Sequence, residues 1–90
     1  MNDILIKTID TGMNTFESVE NGENIVKYLE MLLYCVVHNK KIPIENVIDF
    51  SEFVQNEFLP DDDEQENFVD FWLLMLIQEC HRYNNEKCKS

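Results

Sequence analysis

The sequence predicts an all-α fold, a small bundle of three to four helices in one acidic domain over residues 1–90. Three observations predict it. Only 2 glycines and 2 prolines occur in 90 residues, too few for the turns of a many-stranded sheet. Apolar residues recur at helical spacing through most of the chain. The composition, 44% hydrophobic and 28% charged, is that of a globular chain rather than a disordered one. A domain of this size buries only about 60% of its unfolded surface, so a partner interface would add usefully to its stability.

Residues 2–16 carry two competing patterns. Ile4, Ile6 and Thr8 alternate like a short strand, whereas Leu5, Ile9, Met13 and Phe16 recur like a helix. A first helix over residues 3–15 is the better reading, because Asp3 suits its start. Asn21, Gly22 and Asn24 then form a turn with ready capping groups. A second helix follows over residues 24–39. Ile25, Leu29, Leu32 and Val36 make its stripe; Val26, Leu33, Val37, Tyr28 and Cys35 widen it, which predicts a central position. Asn39, Lys40 and Lys41 end it with charge suited to a helix C-terminus.

Pro43 opens a third helix, to residue 59, with Ile44, Val47, Ile48, Val54 and Phe58 inward. Pro60 and the acids Asp61, Asp62, Asp63 and Glu64 start a fourth, since carboxylates favour a first turn. It extends to about residue 84. Its residues Phe68, Val69, Phe71, Trp72, Leu73, Leu74, Met75, Leu76 and Ile77 point in nearly all directions around the axis. Some of Phe68, Phe71, Leu74, Met75 and Ile77 should therefore stay exposed, which suggests a homodimer or a partner groove. Residues 85–90 are polar and read as a frayed tail.

The charge is unevenly placed. The chain holds 18 acids and 7 bases, a net charge of −11. Residues 42–81 contain 11 acids and no base. This balance argues against binding nucleic acid or an anionic membrane, because phosphate would be repelled. The N-terminal apolar residues are broken by Asp3, Lys7 and Asp10, so no secretory signal core is read. The longest apolar run near the C-terminus, Phe71 to Ile77, is seven residues, against the roughly 20 of a membrane span. Three cysteines, Cys35, Cys80 and Cys88, without a secretion signal fit reduced thiols in a cytoplasm.

No metal, cofactor or catalytic site is expected. Cys35 and His38 share a helix face and could meet Cys80, His81 or Cys88, but no CxxC pair exists and Cys35 reads more simply as a small buried hydrophobe. Asp61, Asp63 and Gln65 imitate the start of a calcium loop, yet its sixth position is Glu66 rather than Gly and its twelfth is Trp72 rather than Glu. Asp63, Glu66 and Asp70 share a face that could hold magnesium, as in small helical nucleotide pyrophosphohydrolases. The paired-acid signature of those enzymes is missing, and no base in this half would hold a phosphate. With two histidines and no glycine-rich loop, no nucleophilic arrangement is suggested.

The acids instead form a candidate binding surface. Glu45, Asp49 and Glu52, at i, i+4 and i+7, share one face of the third helix, and Asn56 continues it. Phe53 falls beside this stripe, where an aromatic ring among carboxylates suits a cationic partner. Asp61, Asp62, Asp63, Glu64 and Glu66 form a second acidic lobe. A solvated face that merely keeps the chain soluble is the plainer alternative. The size, acidity and lack of a catalytic motif resemble the profile of bacterial immunity proteins and antitoxins. That resemblance implies a non-enzymatic cytoplasmic inhibitor of a basic, nuclease-type toxin or another nucleic-acid-binding enzyme. A phage-encoded DNA mimic, similar to anti-CRISPR proteins, and a dimeric helical adaptor using the fourth helix are the alternatives.

Overall fold

The computed structural model describes residues 3–20, 22–58 and 63–88, with side chains of the last helix described to Glu86. Among the described residues four helices form the fold: α1 (Asp3–Phe16), α2 (Glu23–Val37), α3 (Ile44–Glu57) and α4 (Asp63–Cys88). No strand occurs among the described residues. The 26 residues of α4 span about 39 Å at 1.5 Å per residue, most of the 44 Å long axis of the molecule. Helix α1 packs closely on α2 and on α4, and α4 also receives α3.

Helical spacing wins in α1. Leu5, Thr8, Ile9, Gly12 and Phe16 are its buried face, while Ile4 and Ile6, two of the three residues of the strand-like pattern, are exposed. The reason lies in α4: Trp72 crosses α1 at Gly12, and its indole Nε1–H donates to the Thr8 carbonyl at 2.8 Å. A Cβ on Gly12 would fall inside the indole and 2.9 Å from Leu29 Cδ1. Gly22 is the second tight glycine, because a Cβ there would strike the Phe16 carbonyl oxygen. It caps α2 without a side-chain bond; of the expected capping groups, Asn21 lies outside the described residues.

Helix α2 buries Ile25, Leu29, Leu32 and Val36, as its stripe predicts. It is less central than its apolar breadth suggests, since Met31, Tyr34 and Val37 face solvent. Its end is a left-handed turn. Asn39 adopts φ 57°, Lys40 N–H donates to Cys35 O at 2.7 Å, and Asn39 N–H to Val36 O at 3.2 Å. Asparagine tolerates this region better than branched residues do.

Pro43, with ψ 105°, precedes α3 as its cap instead of forming its first turn. The buried face of α3 is Val47, Phe50, Ser51 and Val54. Ile48, expected inside, is 42% exposed. Phe50 replaces it because its ring stacks on Tyr28 of α2 at 4.3 Å and meets Trp72 edge-on at 6.4 Å. That turns the helix and carries Ile48 outward. In α4 the inward stripe is Val69, Trp72, Leu73, Leu76, Cys80 and Tyr83. Phe16 contacts both Trp72 and Phe58, so aromatic rings link all four helical segments.

Helix α4 continues past its expected end near residue 84, to Cys88. Tyr83 and Asn84 are buried against the α2–α3 connection, and Arg82 reaches Glu79 at 3.8 Å and Glu86 at 3.5 Å across successive turns. Those anchors favour another helical turn despite its polar composition.

Candidate protein-binding surface

Glu45, Asp49 and Glu52 project from the solvent side of α3, opposite Val47 and Val54, and Asn56 extends the row. Among the described residues none of the three acids forms an ion pair. The row therefore keeps its mutual repulsion, a few tenths of a kcal/mol per i, i+4 pair. Phe53 is 41% exposed beside it, with its ring edge-on to Phe58 at 6.4 Å. The ring is thus held by a neighbour while one side stays open.

Asp63, Glu64 and Glu66 are exposed on the first turn of α4, where the helix dipole favours carboxylates. Asp61 and Asp62 lie outside the described residues. Two acidic groups on two helices are thus accessible, one in the middle of α3 and one at the start of α4.

The thiols and phenols behave differently from the acids. Cys80 is fully buried, and burial, followed by Cys35 and Glu79, pushes its thiol up to about 12. Burial also pushes the Tyr28 phenol up to about 12, with Cys80, Cys35 and Asp49 adding to it, and its hydroxyl has no hydrogen-bond partner among the described residues. Burial likewise raises Tyr83. Such groups stay protonated at neutral pH, so Cys80 is a poor nucleophile. Among the described residues no three His, Cys, Asp or Glu side chains gather where a metal could be held. No described helix is long and apolar enough to cross a membrane.

The apolar surface of α4 is the feature the sequence foreshadowed only in outline. Phe68, Phe71 and Leu74 are 44%, 63% and 54% exposed, whereas Met75 and Ile77 are partly covered. Ile4, Lys7, Thr8 and Thr11 of α1 meet Phe68, Phe71, Trp72 and Met75 in a groove of about 260 Å³. Phe68 also borders a recess of about 540 Å³ with Phe16, Val19, Phe58 and Val69. The sequence signal for this groove is Ile4, whose exposure follows once α1 is helical. A further exposed row on α2 has its own spacing signal. Lys27, Met31, Tyr34 and His38 lie at i, i+4, i+7 and i+11, with His38 on Tyr34 at 4.1 Å and Lys40 Nζ 5.3 Å from the Tyr34 ring centre. Compared with known protein families, characterised proteins and solved structures, the chain matches none.

Proposed function

We propose that this protein is an acidic binding module, without catalytic activity of its own, that neutralises a basic protein. The best-fitting target is a nuclease-type toxin in the cytoplasm, which makes the chain an immunity protein or antitoxin. One observation carries the reading. Glu45, Asp49 and Glu52 stand exposed on one face of α3, without ion pairs among the described residues, next to a half-open Phe53, in a stretch of 40 residues that has no base. A cationic groove that normally holds phosphate would relieve their repulsion and desolvate the ring. Charge complementarity of this kind speeds association and makes it salt-dependent.

The test is capture of targets by the tagged protein, co-expressed with the products of neighbouring genes, at low and high salt. The expected result is one basic protein, released by salt and lost with Glu45→Lys plus Asp49→Lys. Capture of a host nuclease or defence complex encoded away from the gene would instead identify a phage-type mimic using the same face. A double variant that captures its target normally leaves the α3 row as a solvated surface and overturns the proposal.

A further inference from the structure

We propose that the recess among α1, α3 and α4 is an arginine-binding pocket, and that the arginine is presented by the basic partner that meets the α3 row. The inference rests on the proposed function and deepens it by naming the group that the partner would insert. The recess holds about 540 Å³, within the roughly 300–1,000 Å³ of ligand sites. Phe16, Phe58 and Phe68 line it; Phe16 is buried and edge-on to Phe58 at 5.9 Å, and Phe68 is 44% exposed. It adjoins the α3 row. Glu57, in its wall, stands about 7.5 Å further along the helix axis than Glu52. The Phe53 ring beside the row meets the Phe58 ring edge-on at 6.4 Å.

The recess is negative. Among the described residues that line it, Glu57 is the only ionisable one, and no described residue forms an ion pair with it. Helices α1 and α3 both end at the recess, at Phe16 and Glu57, with no base in either last turn. Each end adds partial negative charge, on the order of half an elementary charge. The start of α4 brings the opposite partial charge, but Asp63, Glu64 and Glu66 occupy its first turn. The Thr15 hydroxyl, also in the wall, donates to the Thr11 carbonyl at 2.7 Å, which leaves its oxygen as an acceptor. An arginine matches this set. Its guanidinium carries donors alone, pairs with a carboxylate through two parallel bonds, and stacks on aromatic faces. A lysine ammonium, more strongly hydrated and without a plane to stack, suits the rings less. An anionic ligand would meet the Glu57 charge. A second copy of the chain is a poor source, because its one arginine, Arg82, already pairs with Glu79 at 3.8 Å and Glu86 at 3.5 Å.

The probe is the capped tripeptide acetyl-Leu-Arg-Leu-amide, followed through the backbone amide NMR shifts of the isotope-labelled protein. Its control carries citrulline, which keeps the shape of arginine and removes the charge. The expected result is saturable shifts at Val19, Glu57, Phe58 and Gln65. Binding should weaken about threefold or more with citrulline, with Glu57→Gln or with Phe68→Ala. Glu57 and Phe68 are exposed, so both variants should keep their helical circular dichroism. Both should also weaken capture of the basic target.

Equal binding of the two tripeptides would show a recess indifferent to charge and overturn the proposal. So would shifts confined to the α3 row, or no shifts at all. Variants that lose the tripeptide yet capture the basic target normally would overturn the partner's use of the pocket and leave the α3 reading standing. Tripeptide binding as expected, with no basic protein captured, would support the pocket and overturn the inhibitor reading. The two failures are thereby distinguishable.

Discussion

Asn84 holds both backbone groups of Ile42. Its Nδ2 donates to the Ile42 carbonyl at 2.7 Å, and its Oδ1 accepts from the Ile42 N–H at 3.0 Å. One α4 side chain thereby satisfies an irregular segment that has no ladder or helix to do so. The neighbouring Tyr83 hydroxyl lies 2.7 Å from Lys40 O and 3.2 Å from Cys35 O, against the turn that closes α2. The last turns of α4 thus fix where α2 ends and where α3, with its acidic row, begins.

Asn84→Leu should therefore be severely destabilising for a residue so near the C-terminus. It orphans a buried donor and a buried acceptor together, about 1–3 kcal/mol each. Urea denaturation should show the loss, and the Ile42 amide should lose its protection from hydrogen exchange. Retained stability together with retained protection would mean that water replaces the amide. Tyr83→Phe should be milder, about 1 kcal/mol, because it removes one hydroxyl and keeps the ring.

At Gly12 two effects oppose each other. Alanine is the better helix former by about 1 kcal/mol. Its methyl, however, would overlap the Trp72 indole, whose Cε2 would lie 2.8 Å away. Overpacking of this kind costs about 1–3 kcal/mol, and moving the ring also strains the Trp72–Thr8 bond, worth about 1 kcal/mol. The clash wins: Gly12→Ala should lower the denaturation midpoint and shift the Trp72 emission. A stabilised variant would show that the α1–α4 crossing adjusts freely.

The buried thiol and phenols predict a loss of stability at alkaline pH. Cys80 ordinarily titrates at 9.0 and Tyr28 at 10.0, and the fold pushes both to about 12. These groups are neutral when protonated, so the unfolded chain loses its protons first. Their contribution is complete below the unfolded values and falls as pH rises through roughly 9 to 12. The thermal midpoint should be flat near neutrality and decline above about pH 9. Cys80→Ala, which leaves net charge at neutral pH unchanged, should remove the earliest part of that decline. An unaltered decline would assign it to general repulsion on an acidic chain.

Helical periodicity made the four helices legible because each buried stripe repeats at the helical spacing whatever it packs against. Partner choice was not legible. Phe50 and Ile48 are both apolar neighbours on α3, and only the Tyr28 and Trp72 rings decide which turns inward. Ile42, fully buried in a connection, and the Asn84 that clamps it are 42 positions apart, with no periodicity to join them. The acidic row on α3 was readable in advance, since spacing alone sets a helix face. The α1–α4 groove depended on how far one helix covers another, which is a tertiary quantity.

The acidic row makes one more prediction, testable without any partner. Repulsion between Glu45 and Asp49 is not offset by a base on α3, so relieving it should leave the free protein as stable or slightly more so. In Asp49→Lys the new positive charge stands one turn after Glu45 and one turn before Glu52. Two repulsive neighbours are thereby exchanged for attractive ones, a matter of about 0.2–0.5 kcal/mol per pair. The effect should shrink in high salt, where exposed charges are screened over about 3 Å at 1 M. A gain in the denaturation midpoint, combined with loss of target capture, would show that the row is kept for recognition at the expense of stability. A clear drop in stability would mean instead that these carboxylates support the fold, and that loss of capture by the double variant reflects unfolding.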